Sequence, residues 1–237
     1  MITASLNYLR DSDDAIKTTL IGGVLLLLSP LLIPVFLVLG YLMRVLRRTG
    51  ERSDEPPVFD EWGDLLIDGV KAFLITFVYS VLPLAILAVV GVFGVGAVLI
   101  GAGDSALAGL LGGTLVFVLA VVALAVSLAG VYVTPAALAN YAETDRVGSG
   151  FAFGTIWTAI TTKAYAVGWL YAFAVLLAGS LAVGVLSVVP VLGTIAGVFV
   201  QFYAVVAAYY IVGHTWADVR PLAAEREGAD TVERPAV

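Results

Sequence analysis

Four uninterrupted apolar stretches, Ala72 to Phe93, Leu107 to Val133, Ala164 to Val188 and Thr194 to Trp216, decide what this chain can become. Each reaches the roughly 20 residues that a helix needs to cross the hydrocarbon of a bilayer. Apolar residues make up 61% of the chain and charged residues 13%. A water-soluble domain is usually about half apolar and about a quarter charged, so these 237 residues read as one multi-pass membrane protein. A single membrane-embedded helical domain is expected over residues 1–216, followed by a polar, disordered cytoplasmic tail over 217–237. No cleavable leader is expected, because the first residues carry Arg10, Asp11, Asp13, Asp14 and Lys17 where a short apolar core and a small-residue cleavage site would stand.

Two shorter apolar stretches come first, Thr18 to Leu28 and Pro34 to Met43. They could form one helix with prolines at its middle, or two short helices meeting at Ser29-Pro30-Leu31-Leu32-Ile33-Pro34. Proline removes a backbone donor and disfavours helix in the residue before it, so two prolines four apart favour a break. Charge decides the same way. No Lys or Arg occurs between Lys71 and Arg146, and with a hairpin all twelve basic residues fall on one side of the membrane. Positive charge is retained on the cytoplasmic side, so both termini are expected there, in a cell membrane. The expected fold is therefore an all-α bundle of six membrane helices, the first two a short proline-broken hairpin.

The net charge of −6 comes from eighteen acidic residues crowded into the same polar segments. Acid-rich loops with three Lys in the whole chain suit a cytoplasm of very high salt, where such charges are screened. A halophilic source is the expectation.

Phe59 to Tyr79 and Phe151 to Tyr171 share a pattern at an offset of 92, which pairs Lys71-Ala72-Phe73 with Lys163-Ala164-Tyr165. Lys17 likewise stands where a short amphipathic segment, Ser12 to Ile16, meets an apolar run. Each Lys would then mark the foot of a helix rising from the cytoplasm; chance likeness between apolar sequences is the alternative. Amphipathic interfacial helices are expected just before Lys71 and Lys163. In the first, Phe59, Trp62, Leu66, Val70 and Phe73 form an apolar stripe opposite Asp60, Glu61, Asp64 and Asp68. In the second, Phe153, Ile156, Trp157 and Ile160 oppose Thr155, Thr158, Thr161 and Thr162, with the Trp residues at headgroup depth.

Chemistry is sparse. Cysteine is absent and His214 is the one histidine, which excludes disulfides and leaves too few ligands for a Cys/His zinc site. Asp60, Asp64 and Asp68 share one helix face, and a solvated acidic face is expected rather than a cation site. Gly101-Ala102-Gly103-Asp104-Ser105 matches neither a phosphate loop nor a nucleophile elbow and reads as an outer connection. Gly109 with Gly113, and Gly193 with Gly197, are small-residue pairs suited to close helix packing. Gln201 lies deep in an apolar run and needs a partner; with Tyr203 and Ser80 it forms a candidate polar patch in the membrane. His214, beside Trp216, is expected at the interface. No charged residue falls mid-membrane, which weighs against an ion-coupled transporter.

Several motifs resemble a catalogued family. They are Gly22-Gly23-Val24-Leu25-Leu26-Leu27, Gly40-Tyr41 followed by Arg44, Arg47 and Arg48, and Pro57-x-Phe59-x-x-Trp62-Gly63-Asp64-Leu65. Asp68-Gly69-Val70-Lys71 and Pro135-Ala136-Ala137-Leu138-x-Asn140-Tyr141-Ala142 complete them. From about Ser5 to His214 the chain resembles archaeal membrane proteins of the domain of unknown function 4013, common in halophilic archaea. The resemblance implies no activity and no catalytic residues. A non-enzymatic structural or interaction component of the membrane is thus expected, without cofactor or metal and without nucleic acid. Its partners would be membrane lipids, other membrane proteins or a second copy. The alternative is a permease or channel for a small neutral or hydrophobic solute.

Overall fold

The computed structural model describes residues 1–101 and 106–232, which form eight α-helices and, among the described residues, no strand. They are α1 (Ile2–Arg10), α2 (Ala15–Leu27), α3 (Ile33–Gly50), α4 (Trp62–Gly101), α5 (Ala106–Thr144), α6 (Phe153–Ile160), α7 (Lys163–Leu186) and α8 (Leu192–Val232). Four segments are long and apolar enough to cross a membrane: Trp62–Val89, Gly112–Thr144, Lys163–Leu186 and Leu192–Arg220. The connection read at Gly101 to Ser105 lies, past Gly101, outside the described residues. The chain divides into two compact units, Met1–Ile75 with Pro135–Val237, and Thr76–Thr134; the division falls within α4 and α5.

In the first unit α8 is the common partner, packing against α1, α2, α3, α6 and α7. Phe202, Val206, Ile211 and Val219 of α8 are fully buried. Glycines set the close approaches. A methyl group at Gly22 would overlap the Phe202 ring and one at Gly23 the Phe199 ring, so α2 lies close against α8. Gly213 faces Thr49 and the Leu46 carbonyl, while Tyr41 lies 5.8 Å from Phe202, so α3 runs parallel to α8. α2 and α3 also pack against each other, joined by a sharp break. That break is the 3₁₀ segment Ser29–Leu31 and Leu32 at φ 64°, where the prolines predicted one. α7 returns antiparallel to α8, with Gly168 against Thr215, Gly179 against Ala204 and Gly197 against Val183. Thr162 caps α7 by accepting the Tyr165 amide at 3.1 Å.

The second unit is itself an antiparallel pair. Gly130 of α5 faces the Tyr79 carbonyl and Pro83 of α4, and Gly94 of α4 faces Val116 of α5. Hydroxyls here turn back on their own helices: Ser80 donates to the Thr76 carbonyl at 2.8 Å and Ser127 to that of Ala123 at 2.7 Å. That is the local way to satisfy a hydroxyl where water is absent.

Two expectations change. The segment before Lys71 is no separate interfacial helix, since α4 begins at Trp62 and continues without a break. Its buried face is Leu65, Asp68, Gly69, Ala72 and Ile75, whereas Trp62, Val70 and Phe73 of the expected stripe are exposed. Phe59 precedes the helix and is buried, stacked on Tyr41 at 4.3 Å. The segment before Lys163 does form its own short helix, α6, but it buries Ile156, Ala159 and Ile160 and leaves Phe153 and Trp157 outside.

Candidate functional site

The first turns of α4 and the last turns of α3 and α5 bring together five polar side chains that lie far apart in sequence. Arg47 of α3 directs both terminal nitrogens at Asp68 Oδ2, 3.4 Å each. Tyr141 of α5 donates its hydroxyl to Asp68 Oδ1 at 3.1 Å, and Lys71 Nζ stands 3.8 Å from the same oxygen. Asp145 closes the ring, 3.5 Å from Arg47 and 3.6 Å from Lys71. Two cations face two carboxylates, so the cluster is neutral. Only 12% of the Asp68 side chain is exposed, against about a third of its cationic partners. A carboxylate so enclosed persists only with its charge and lone pairs satisfied.

The neighbours extend the same joint. Arg47 Nε donates to the Ala142 carbonyl at 3.1 Å, using an acceptor that the end of α5 leaves open. Trp216 of α8 donates to Glu143 at 2.8 Å, and Arg220 pairs with the other oxygen of that carboxylate. Beside them a cavity of about 290 Å³ is lined by Leu46, Arg47, Ala139, Glu143, Trp216 and Arg220, among others. The connection after α3 is tied down as well. Asp54 accepts from Tyr210 at 2.7 Å and lies 3.4 Å from His214 Nε2, and Arg52 pairs with Asp218 at 2.6 Å. Tyr8 of α1 donates to the Glu55 carbonyl; burial pushes its phenol well above the usual range, with Arg48 opposing.

The acidic row read as one solvated face is split. Asp60 pairs with Arg44, Asp64 is exposed, and Asp68 is the enclosed centre of the cluster. Water-based amphipathicity hid Asp68. The signal that could have found it is the row Leu65, Gly69, Ala72 and Ile75, whose small members let α3 come close. A methyl group at Gly40 would run into the Leu65 carbonyl, and one at Gly69 into the Phe36 carbonyl.

Of the candidate patch, Gln201 and Tyr203 lie half-buried on α8, where the Tyr203 hydroxyl donates to the Leu6 carbonyl. Ser80 belongs to the other unit and is exposed. Gly193 meets the Leu186 carbonyl across the α7–α8 turn, and Gly113 has open space around it; the surroundings of Gly109 lie outside what is described. His214 places Nδ1 3.2 Å from the Tyr210 carbonyl. Among the described residues, no three His, Cys, Asp or Glu are grouped to hold a metal ion. Chemically, the arrangement fixes helix ends to one another.

Comparison with the curated proteins and with the solved structures returns no match. One family profile matches, over residues 23–188, a narrower span than Ser5 to His214. That stretch carries α3 to α7 and the end of α2, with Arg47, Asp68, Lys71, Tyr141 and Asp145 of the ion cluster, and it ends before α8 begins. With well over half of its length matched, this all-α chain belongs to the family described as Protein of unknown function (DUF4013).

Proposed function

We propose that the protein is a non-enzymatic component of the cell membrane that packs through its apolar helix faces against other membrane proteins or lipids. One observation carries the reading. In α8 half of the apolar window is buried within the chain, whereas in α7 the share is 17%. Leu170, Phe173, Leu177 and Leu181 of α7 all remain open. An apolar face of that extent needs hydrocarbon or another protein against it. The polar groups support the same role, because the ion cluster is paired within itself and the Tyr203 hydroxyl is committed to Leu6. A permease built on Gln201, Tyr203 and Ser80 draws less support, since Ser80 is bonded to its own helix.

Affinity purification from native membranes at the native salt, in a mild detergent, tests the reading. The expected result is a stoichiometric partner protein or retained lipid, lost when Leu177 and Leu181 are both changed to Ser. Uptake of a neutral solute by vesicles containing the purified protein alone would overturn it.

Both termini are proposed to be cytoplasmic, on the same side as the ion cluster. Asp13→Cys and Glu51→Cys, both exposed positions, should react with a membrane-impermeant maleimide only after lysis. Ala102→Cys should react in intact cells. Labelling of Asp13→Cys in intact cells, with Glu51→Cys protected, would separate α1 from the α3 end and overturn the orientation.

A further inference from the structure

The stretch from Arg146 to Lys163 carries two basic residues and no acidic one, in a chain where acids outnumber bases eighteen to twelve. Among the residues whose side chains are described, every other Lys or Arg has a carboxylate within ion-pair distance. Arg146 and Lys163 have none among the described residues, and both are exposed. They bracket α6, where Phe153 is 67% and Trp157 66% open. The opposite face of α6, Ile156, Ala159 and Ile160, is buried against the chain, so the two aromatics are held outward on a fixed element. Lys163 opens α7, where the helix dipole presents its positive end; a cation there is unfavourable unless an anion lies near.

The geometry points to Arg146 to Lys163 as a headgroup-binding ledge for anionic phospholipid, with Trp157 and Phe153 seated at the acyl boundary and Arg146 and Lys163 facing phosphate. Charge complementarity selects this occupant, because each Lys or Arg near an anionic leaflet strengthens attachment to it by about fivefold, an effect that fades with screening. An outward Trp and Phe beside these cations is the composition of an interfacial segment. The inference rests on the membrane placement proposed above, but needs no protein partner.

Quenching of Trp157 fluorescence tests it. The full-length protein and its Trp157→Phe variant are placed in phosphatidylcholine nanodiscs at the lowest salt that preserves the fold, and the difference signal isolates Trp157. Bromine is carried either by a minor phosphatidylglycerol fraction or by an equal fraction of phosphatidylcholine. The expected result is quenching several-fold stronger from brominated phosphatidylglycerol. The excess should vanish in Arg146→Gln/Lys163→Gln and survive in Lys163→Arg, which keeps the charge. Equal quenching by the two lipids overturns the anionic selection while leaving the membrane placement intact. No quenching by either overturns the placement of α6 itself. An excess that persists in the double Gln variant overturns the role of the two cations. Loss of quenching together with a protein concentration dependence assigns the ledge to a second copy and overturns the lipid reading.

Discussion

Gly40→Ala and Gly69→Ala should each lower the thermal midpoint of the protein in nanodiscs, and by far more than a methyl group added at an open glycine. At both positions the added carbon meets a backbone carbonyl of the facing helix, Leu65 for Gly40 and Phe36 for Gly69, and no rotamer change removes such a clash. Overpacking typically costs up to about 3 kcal/mol, occasionally more. Alanine in a helix interior returns about 1 kcal/mol over glycine. The clash wins, leaving a net loss of about 2 kcal/mol or more. Gly184→Ala in α7 is the control, because nothing lies within 4 Å of its Cβ position; it should be neutral or slightly stabilising. Equal behaviour of the three variants would mean that α3 and α4 do not touch at these glycines.

Asp68→Leu removes the acceptor at the centre of the ion cluster and leaves Arg47, Lys71 and the Tyr141 hydroxyl around an apolar side chain. Breaking a buried pair by deleting one partner costs about 3 to 5 kcal/mol. Arg47 and Lys71 keep about a third of their side-chain surface open, so water recovers part of that loss and about 2 to 4 kcal/mol is expected. Asp64→Leu, one turn earlier and exposed, should change stability by no more than about 0.5 kcal/mol. Thermal unfolding of the two variants side by side separates the cases. A Leu at 68 as harmless as one at 64 would return the acidic row to a solvated face.

The sequence made the long apolar helices legible because their length needs no partner to interpret, and Pro30 and Pro34 marked the break between α2 and α3 because a missing donor is a local property. What failed was the assignment of inside and outside on the first turns of α4. The apolar stripe Trp62, Leu66, Val70 and Phe73 was set toward the membrane interface, and Asp68 was left on a solvated acidic face by a rule for helices beside water; Trp62, Val70 and Phe73 are indeed exposed, but Asp68 is enclosed. Against hydrocarbon that surface costs nothing when it faces out, and the carboxylate is the group that must turn inward to find Arg47 and Tyr141. Arg47 and Asp145 were missed for another reason. Each lies at the end of a different helix, and nothing in their local sequence says that α3, α4 and α5 end side by side.

The place of α8 in the chain has a consequence for biosynthesis. A ribosome delivers α1, α2, α3, α6 and α7 before the helix on which all of them pack, so for most of translation they lack their common neighbour. The contact faces at Gly22, Gly23, Gly168 and Gly179 stay unmated until Phe199, Phe202, Ala204 and Thr215 emerge. Assembly of this unit is therefore a late event, closed by its last helix. A nascent chain stalled before Leu192 therefore presents proteases with a set of ungathered helices, whereas the released chain can close this unit.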